Sequence, residues 1–396
     1  MDTTTDIANA LGQLLPNLRE EDTSVLVAHL PRLKARLEVL TAAFPKGTQH
    51  SIAIKTNPHP GMLRQLVEWG YGLEAASIEE VERALDAGCA PEKIVFDSPV
   101  KTRREISQVV GQKDLLLNVN SLGELERYPD EVDCCLGIRV NPQVHTGAPE
   151  MFDVSKNESK FGVAIADRED IIQAALQYPV RALHMHSGSQ MKDLEVQRGA
   201  LETLRDLALA INEKSPGKIS VLDIGGGLPT ESIQGFSKME AYGAIVSEVF
   251  AVHEFLLVTE FGQWVHAEAG FAATQIEYRV DPGRLFIHLG ADFFMRDAYT
   301  TARAFPLLAY SKRAELLQGA VEKFDLAGPL CFAGDYLAHG AELPGNIGEG
   351  DWLVIDETGA NTYALWSRHC SRTVPAVWAW DGENIARWSE RKRIDF

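Results

Sequence analysis

Eight short apolar runs, each followed by a longer stretch with helical spacing, fill residues 51 to 260 of this 396-residue chain. No other feature narrows its fold as much. The runs are SIAIK (51–55), YGLEA (71–75), KIVFDS (93–98), DLLLNV (114–119), CLGIRV (135–140), RALHMH (181–186), ISVLDI (219–224) and FLLVTE (255–260). Between them lie segments such as GMLRQLVEWG, SIEEVERALDAG and VQRGALETLRDLALAINEK, whose apolar residues recur three and four apart. Strand–helix alternation repeated eight times predicts an α/β chain folded as a (β/α)8, TIM-like barrel. A doubly wound open sheet has the same periodicity, and spacing alone leaves it open.

Beyond about residue 264 the texture changes. QIEYRVDPGRLFIHLG, EKFDLAGPLCF and GDWLVIDETGANTYALWS read as strands and turns of an all-β second domain. The expected division is an N-terminal extension, 1–24, packing on the β domain, then a barrel, 25–263, then a C-terminal β domain, 264–396. A length of 396 residues fits two domains.

The formal charge of -18 disfavours nucleic acid or an anionic membrane as partners, though a local pocket can still be positive. No run reaches the roughly 18 apolar residues of a membrane span. The start, MDTTTDIANALGQLLPNL, lacks a basic region before its apolar stretch, which points to a cytoplasmic location. Five cysteines without a CxxC pair suggest reduced thiols rather than a disulfide framework or a zinc knuckle.

In a barrel, working residues sit at the C-terminal ends of the strands. Those ends carry Lys55, Glu74, Arg139, His186, the glycines Gly225, Gly226 and Gly227, and Glu260. DIGGGLP follows a strand, so its amides can approach an anion without Cβ interference. Ser189, in HMHSGSQ, adds a hydroxyl nearby. His184 and His186 are two apart on a strand and share a face, which also permits a metal pair. No further His or Asp ligand stands out at the other strand ends, so stacking for His186 and packing for His184 are expected instead of metal.

A lysine, an anion cradle and a carboxylate suggest pyridoxal phosphate: the lysine for a Schiff base, the glycines for the phosphate, the carboxylate for the pyridine nitrogen. The chain resembles the fold type III decarboxylases, the ornithine, arginine and diaminopimelate group, from about residue 50 to 370. AIKTN resembles the family's Ala-Val-Lys-x-Asn, HMHSGSQ its His-x-Gly-Ser, and DIGGGLP its glycine motif. GPLCFAGD and GDWLVIDETGANTY match its later motifs. The resemblance implies decarboxylation of an α-amino acid through a Schiff base and a quinonoid. Lys55 would bind the cofactor in a pocket that lowers its pKa, with Glu74 as acidic neighbour. Arg139 would approach the ring's substituents, His186 would stack on the ring, and Glu260 would pair with its nitrogen. Related racemases place an arginine at that last position, so Glu260 favours decarboxylation over racemisation. Cys331 would return a proton to Cα at the partner subunit's cofactor, making the enzyme a homodimer. Lys160 would pair with Asp335 across that interface.

The chain departs from the pattern in several places. The family's Glu-Pro-Gly-Arg is EFGQ, which keeps Gly262 among the cofactor-binding residues and puts Gln263 in place of the arginine. The acidic residue after the cysteine, which meets a distal substrate amine, is Phe332. The phosphate-binding tyrosine is Asn361, with Tyr363 two residues on. The usual opening strand, Pro-x-Tyr-Val-Tyr-Asp, is missing. Losing the acid leaves a distal ammonium unpaired, which is costly. The expected substrate is therefore a carboxylated or conjugated amino acid of specialised, for example siderophore, metabolism rather than ornithine or lysine. Arg296 is the candidate carboxylate clamp, with a salt bridge to Asp297 as the alternative. Beside decarboxylation stand a racemase, a catalytically inactive regulatory homologue, which would have lost Lys55, His186 or Cys331, and a metal-dependent hydrolase.

Overall fold

A computed structural model describes residues 3–145, 147, 153–191, 193–230, 239–252, 254–280, 282–294 and 303–393. The chain divides into two compact units, residues 37–264 and residues 1–36 with 265–396.

The first unit is a closed barrel of eight parallel strands: Gln49–Ala53, Gly72–Ala75, Ile94–Asp97, Leu116–Val119, Cys135–Asn141, Val180–His184, Val221–Asp223 and Leu256–Thr259. These coincide with the eight apolar runs, and the open doubly wound sheet is excluded. Closure is made where Val258 pairs with Gln49 and Thr259 with His50. His50 Nδ1 and Thr259 Oγ1 add a 2.8 Å hydrogen bond across that seam. Val95, Leu116, Cys135, Ala182 and Val258 pack together from five strands.

The helices start where their sequences supply caps. Ser77 accepts the Glu80 amide ahead of Ile78–Asp86, Thr102 and Glu105 form a capping box on Arg103–Val109, and Asp193 accepts two amides at the head of Leu194–Lys214. Each cap satisfies amide donors that the first helical turn leaves open.

The second unit is a nine-stranded mixed sheet. Its two faces show the period of two that any strand imposes. Leu26, Ala272, Leu353, Ile355 and Val377 enter one core, whereas Val25, Val27, Phe271, Ala273, Trp352, Trp378 and Trp380 enter the other. Ile7, Ala10, Leu11 and Leu14 of the N-terminal helix, Thr3–Leu14, cover that second face.

One boundary differs from the sequence expectation. Ser24–His29, placed with the barrel by a start at residue 25, is a strand of the mixed sheet. It runs antiparallel to Gly270–Val280 and parallel to Ala376–Trp380. SVLVAH is apolar at both parities, which suits a strand covered on both faces in either unit, so only the pairing places it.

Candidate active site

The barrel unit gathers its polar residues at the C-terminal ends of the strands. The turn Ile54–Thr56 follows the first strand and carries Lys55, whose Nζ lies 2.5 Å from Glu74 Oε2 at the end of the second. Lys55's side chain is 48% exposed, whereas Glu74's is fully buried. Burial pushes the Lys55 ammonium down, but Glu74, Glu260 and Asp97 outweigh it and hold it above the usual lysine range. The expected lowering is thus reversed, because the lysine stands among several buried carboxylates. Glu74 is itself raised, by burial first and then by Glu260 and Asp97, against the opposing pull of Lys55.

His186 lies just past the sixth strand. Its Nδ1 accepts the Gly226 amide at 3.2 Å, which leaves Nε2 to carry the proton of the neutral ring. Burial pulls its pKa down to about 3, with Arg139 and Lys55 adding to the effect against Glu260. A neutral, flat ring at the mouth suits stacking.

The glycine loop after the seventh strand is shaped by its neighbours. A Cβ on Gly225 would meet Met185 O at 2.6 Å, on Gly226 Glu260 O at 2.6 Å, and on Gly227 Gly188 O at 1.9 Å. Gly225 and Gly227 also have positive φ, 65° and 109°, which L side chains rarely adopt. Gly262 lies against Thr56 and Ala53 in the same unit, where a Cβ would meet side-chain atoms at 2.6–2.8 Å. Gln263 opens the short helix Gln263–His266. Ser189 is partly buried two residues past Ser187, whose carbonyl accepts the Ser155 hydroxyl.

Beneath this mouth two further acids, Asp97 and Asp223, join Arg139, His184 and Glu260. Arg139 Nη1 donates to Asp97 Oδ2, and the guanidinium stands 4.5 Å over the Phe161 ring. His184 Nδ1 is 3.6 Å from Asp97 Oδ1, and its Nε2 is 3.6 Å from Glu260 Oε2. Ligand atoms of His184, Asp223 and Glu260 lie within 4.8 Å of one another, all buried. The expectation of no further metal-type ligands near His184 is therefore wrong. Asp97 and Asp223 end the third and seventh strands, and the rule that singled out Lys55 and Glu260 would have found both. Burial and the neighbouring Glu260 hold Asp223 well above the carboxylate range. Burial would raise Glu260 too, but His184, Lys55 and His186 outweigh it and keep Glu260 below that range. Two adjacent buried carboxylates cannot both ionise cheaply, so the proton rests on Asp223.

The remaining predicted residues belong to the second unit. Cys331 is exposed in the turn Gly328–Asp335. Asp335 is turned into its own turn and is 3% exposed. Its oxygens accept the amides of Ala291 at 2.5 Å and Leu330 at 2.6 Å. Gly290 and Gly328 press so closely on this carboxylate that a Cβ on either would lie 2.3 Å from it. Lys160, in the barrel unit, is exposed, its Nζ 5.0 Å over the Phe161 ring. The Phe332 ring folds back over Gly334. Asn361 has φ 60°, a conformation asparagine tolerates, and Tyr363 packs on the sheet's core. Arg296 lies outside the described residues.

Fold and site together define a class: α/β-barrel enzymes with a lysine–carboxylate centre beside a glycine anion cradle. Residues 30–272 match the family described as pyridoxal-dependent decarboxylase, pyridoxal binding domain. The chain is 31% identical over 367 residues to the diaminopimelate decarboxylase of Pseudomonas fluorescens, covering 88% of this chain and 86% of that one. It is 27% identical over 379 residues to that of Aquifex aeolicus, covering 92% and 88%. The crystal structure of diaminopimelate decarboxylase from Helicobacter pylori complexed with L-lysine superposes with a TM-score of 0.86 at 23% identity, covering 96% of each chain. This protein belongs to the family of pyridoxal-phosphate-dependent amino acid decarboxylases. It is a carboxy-lyase that uses pyridoxal phosphate, which sets aside the hydrolase. The residues present fit that cofactor: a lysine at the mouth, a strand-end loop of three glycines packed too closely on neighbouring carbonyls to carry side chains, and a buried Glu260 with one oxygen, Oε1, free of hydrogen bonds. Among the described residues no helix is long and apolar enough to cross a membrane.

Proposed function

We propose that this enzyme, working as a homodimer, decarboxylates an α-amino acid whose distal end is not a bare ammonium. The observation that carries this is the turn Gly328–Asp335. Its sequence GPLCFAGD holds one acid, Asp335, which two amides already engage, while Phe332 follows Cys331 where a distal amine would need a carboxylate. Desolvating an unpaired cation costs several kcal/mol. A substrate with a neutral, acidic or conjugated distal group avoids that cost.

Pyridoxal phosphate, when bound, supplies an electron sink for the pair released as the Cα–carboxylate bond breaks. Lys55 would hold it covalently, and Gly225–Gly227 with Ser189 would take its phosphate. Glu74 Oε2, 2.5 Å from Lys55 Nζ, would orient that amine toward the cofactor. Glu260 would keep the ring nitrogen protonated, His186 would cover one face, and Arg139 would flank the ring. Cys331 would deliver a proton to Cα from the partner subunit.

The relatives' names favour a second reading, decarboxylation of diaminopimelate itself. Carbon dioxide release should be compared across meso-diaminopimelate, ornithine, lysine, acidic amino acids and carboxylate-bearing conjugates. Efficient turnover of ornithine or lysine would sink the first reading, and turnover of meso-diaminopimelate above all others would establish the second. Mixing Lys55→Ala and Cys331→Ala homodimers tests the shared site. Recovered activity after subunit exchange supports it, and none after proven exchange refutes it.

A further inference from the structure

His184 and Asp97 have no part in the reading above, yet they form the middle of a buried row. The row runs from Arg139 through Asp97 and His184 to Glu260, with Asp223 beside its far end. His184 is 0% exposed, and neither ring nitrogen has a hydrogen-bond partner within ordinary distance. Each faces a carboxylate oxygen at 3.6 Å instead. Burying an imidazole with both nitrogens unbonded is expensive, so this arrangement is not a packing solution. An apolar residue would fill the same space at lower cost. A histidine gains from this site only through the carboxylate oxygens that its two ring nitrogens face.

We propose that His184 is a positioning residue for the decarboxylation: it braces Glu260 from beneath, holding that carboxylate ionised and aimed at the cofactor's ring nitrogen. Asp97, itself held by Arg139, fixes His184 in turn. The proposal rests on the reading that Glu260 meets that nitrogen. It explains why the strand-end HxH motif has two histidines where stacking needs one. His186 serves the mouth, and His184, two residues earlier on the same face, serves the carboxylate under it. Glu260's position below the carboxylate range, with His184 the strongest opposing influence against burial, agrees with this.

The test uses full-length holoenzyme reconstituted with pyridoxal phosphate. The groups that can titrate at this end of the barrel are Lys55, Glu74, Asp97, Arg139, His186, Asp223 and Glu260, all kept intact in His184→Leu and His184→Gln. The visible spectrum of the bound cofactor is followed from about pH 5.5 to 8.5, beside kcat and KM. The wild type should hold one spectrum through that range. In His184→Leu the spectrum should titrate within it, with kcat at least about tenfold lower and KM within about twofold. His184→Gln retains an N–H donor and should restore most of both. A His184→Leu spectrum that stays flat, with kcat within about twofold of wild type, overturns the proposal. So does a stoichiometric divalent metal in the wild-type holoenzyme, because the same trio would then be its ligands. If His184→Leu does not fold, His184→Asn, whose shorter amide cannot reach Glu260, replaces it with the same two outcomes. Glu260→Gln separates the layers. Should it keep the wild-type spectrum, Glu260 does not meet the ring nitrogen and the underlying reading fails. Should it lose that spectrum while His184→Leu does not, the bracing role alone fails.

Discussion

The barrel mouth and the mixed sheet both bury their side chains, but with opposite chemistry. Around the mouth, Glu74, Asp97, Arg139, His184, Asp223 and Glu260 are each at most 7% exposed. The sheet's two faces are filled with leucine, valine, phenylalanine and tryptophan. Apolar burial stabilises by about 25 cal/mol per Å2, whereas buried charges do little better than break even against their desolvation. The sheet therefore supplies cohesion, and the mouth holds charges that would be poor choices for stability alone. Charge concentrated where it does not stabilise marks the reacting centre.

Substitutions should separate these two characters. The largest effect belongs to Lys55→Ala, which should abolish carbon dioxide release and the borohydride-reducible visible band of the bound cofactor, while the urea midpoint changes little. A variant that keeps a reducible band to protein would show that another amine holds the cofactor. Next comes Leu11→Ala, in the helix that covers one sheet face. It should cost about 2–5 kcal/mol in urea unfolding, as cavities in apolar cores do. A loss below about 1 kcal/mol would mean that the helix is not part of that core.

Asp335→Asn lies between the two characters, a charge that works structurally. It trades one acceptor oxygen for an N–H group facing an amide, and should cost about 1.5–3 kcal/mol. Cys331 should also react faster with a thiol reagent, since its turn loses an anchor. Unchanged stability and labelling would show that the carboxylate does not anchor this turn.

The smallest effect is a pH dependence. Burial lowers His50 from 6.5 to about 4 in the folded protein. The folded value is the lower one, so this contribution is complete above about pH 6.5 and is lost as pH falls towards 4. Between pH 7 and 5 the wild type should lose about 2 kcal/mol that His50→Gln does not lose. Parallel losses in both proteins would show that His50 is not the group responsible.

Much of this site was legible because barrel chemistry follows strand order. Lys55, Glu74, Arg139, His186, the three glycines and Glu260 are all strand-end residues, and the structure brings them to one mouth. Asp97 and Asp223 obey the same rule but were passed over, since an acid after an apolar run looks like an ordinary strand terminus. Asp335 has a role of another kind, since nothing in GPLCFAGD shows that the amides of Ala291 and Leu330 reach its carboxylate.

By itself the sequence determined the local elements and their order: eight apolar runs with helices between them, and caps such as Ser77 and Asp193. These are decided by residues within a few positions of one another. Tertiary structure alone decided which distant segments met. It closed Leu256–Thr259 onto Gln49–Ala53, inserted Ser24–His29 between Gly270–Val280 and Ala376–Trp380, and set His184 between Asp97 and Glu260. An apolar strand is compatible with many neighbours, and a charge's energy depends on what lies within a few ångströms of it. Both are settled only when the whole unit has packed.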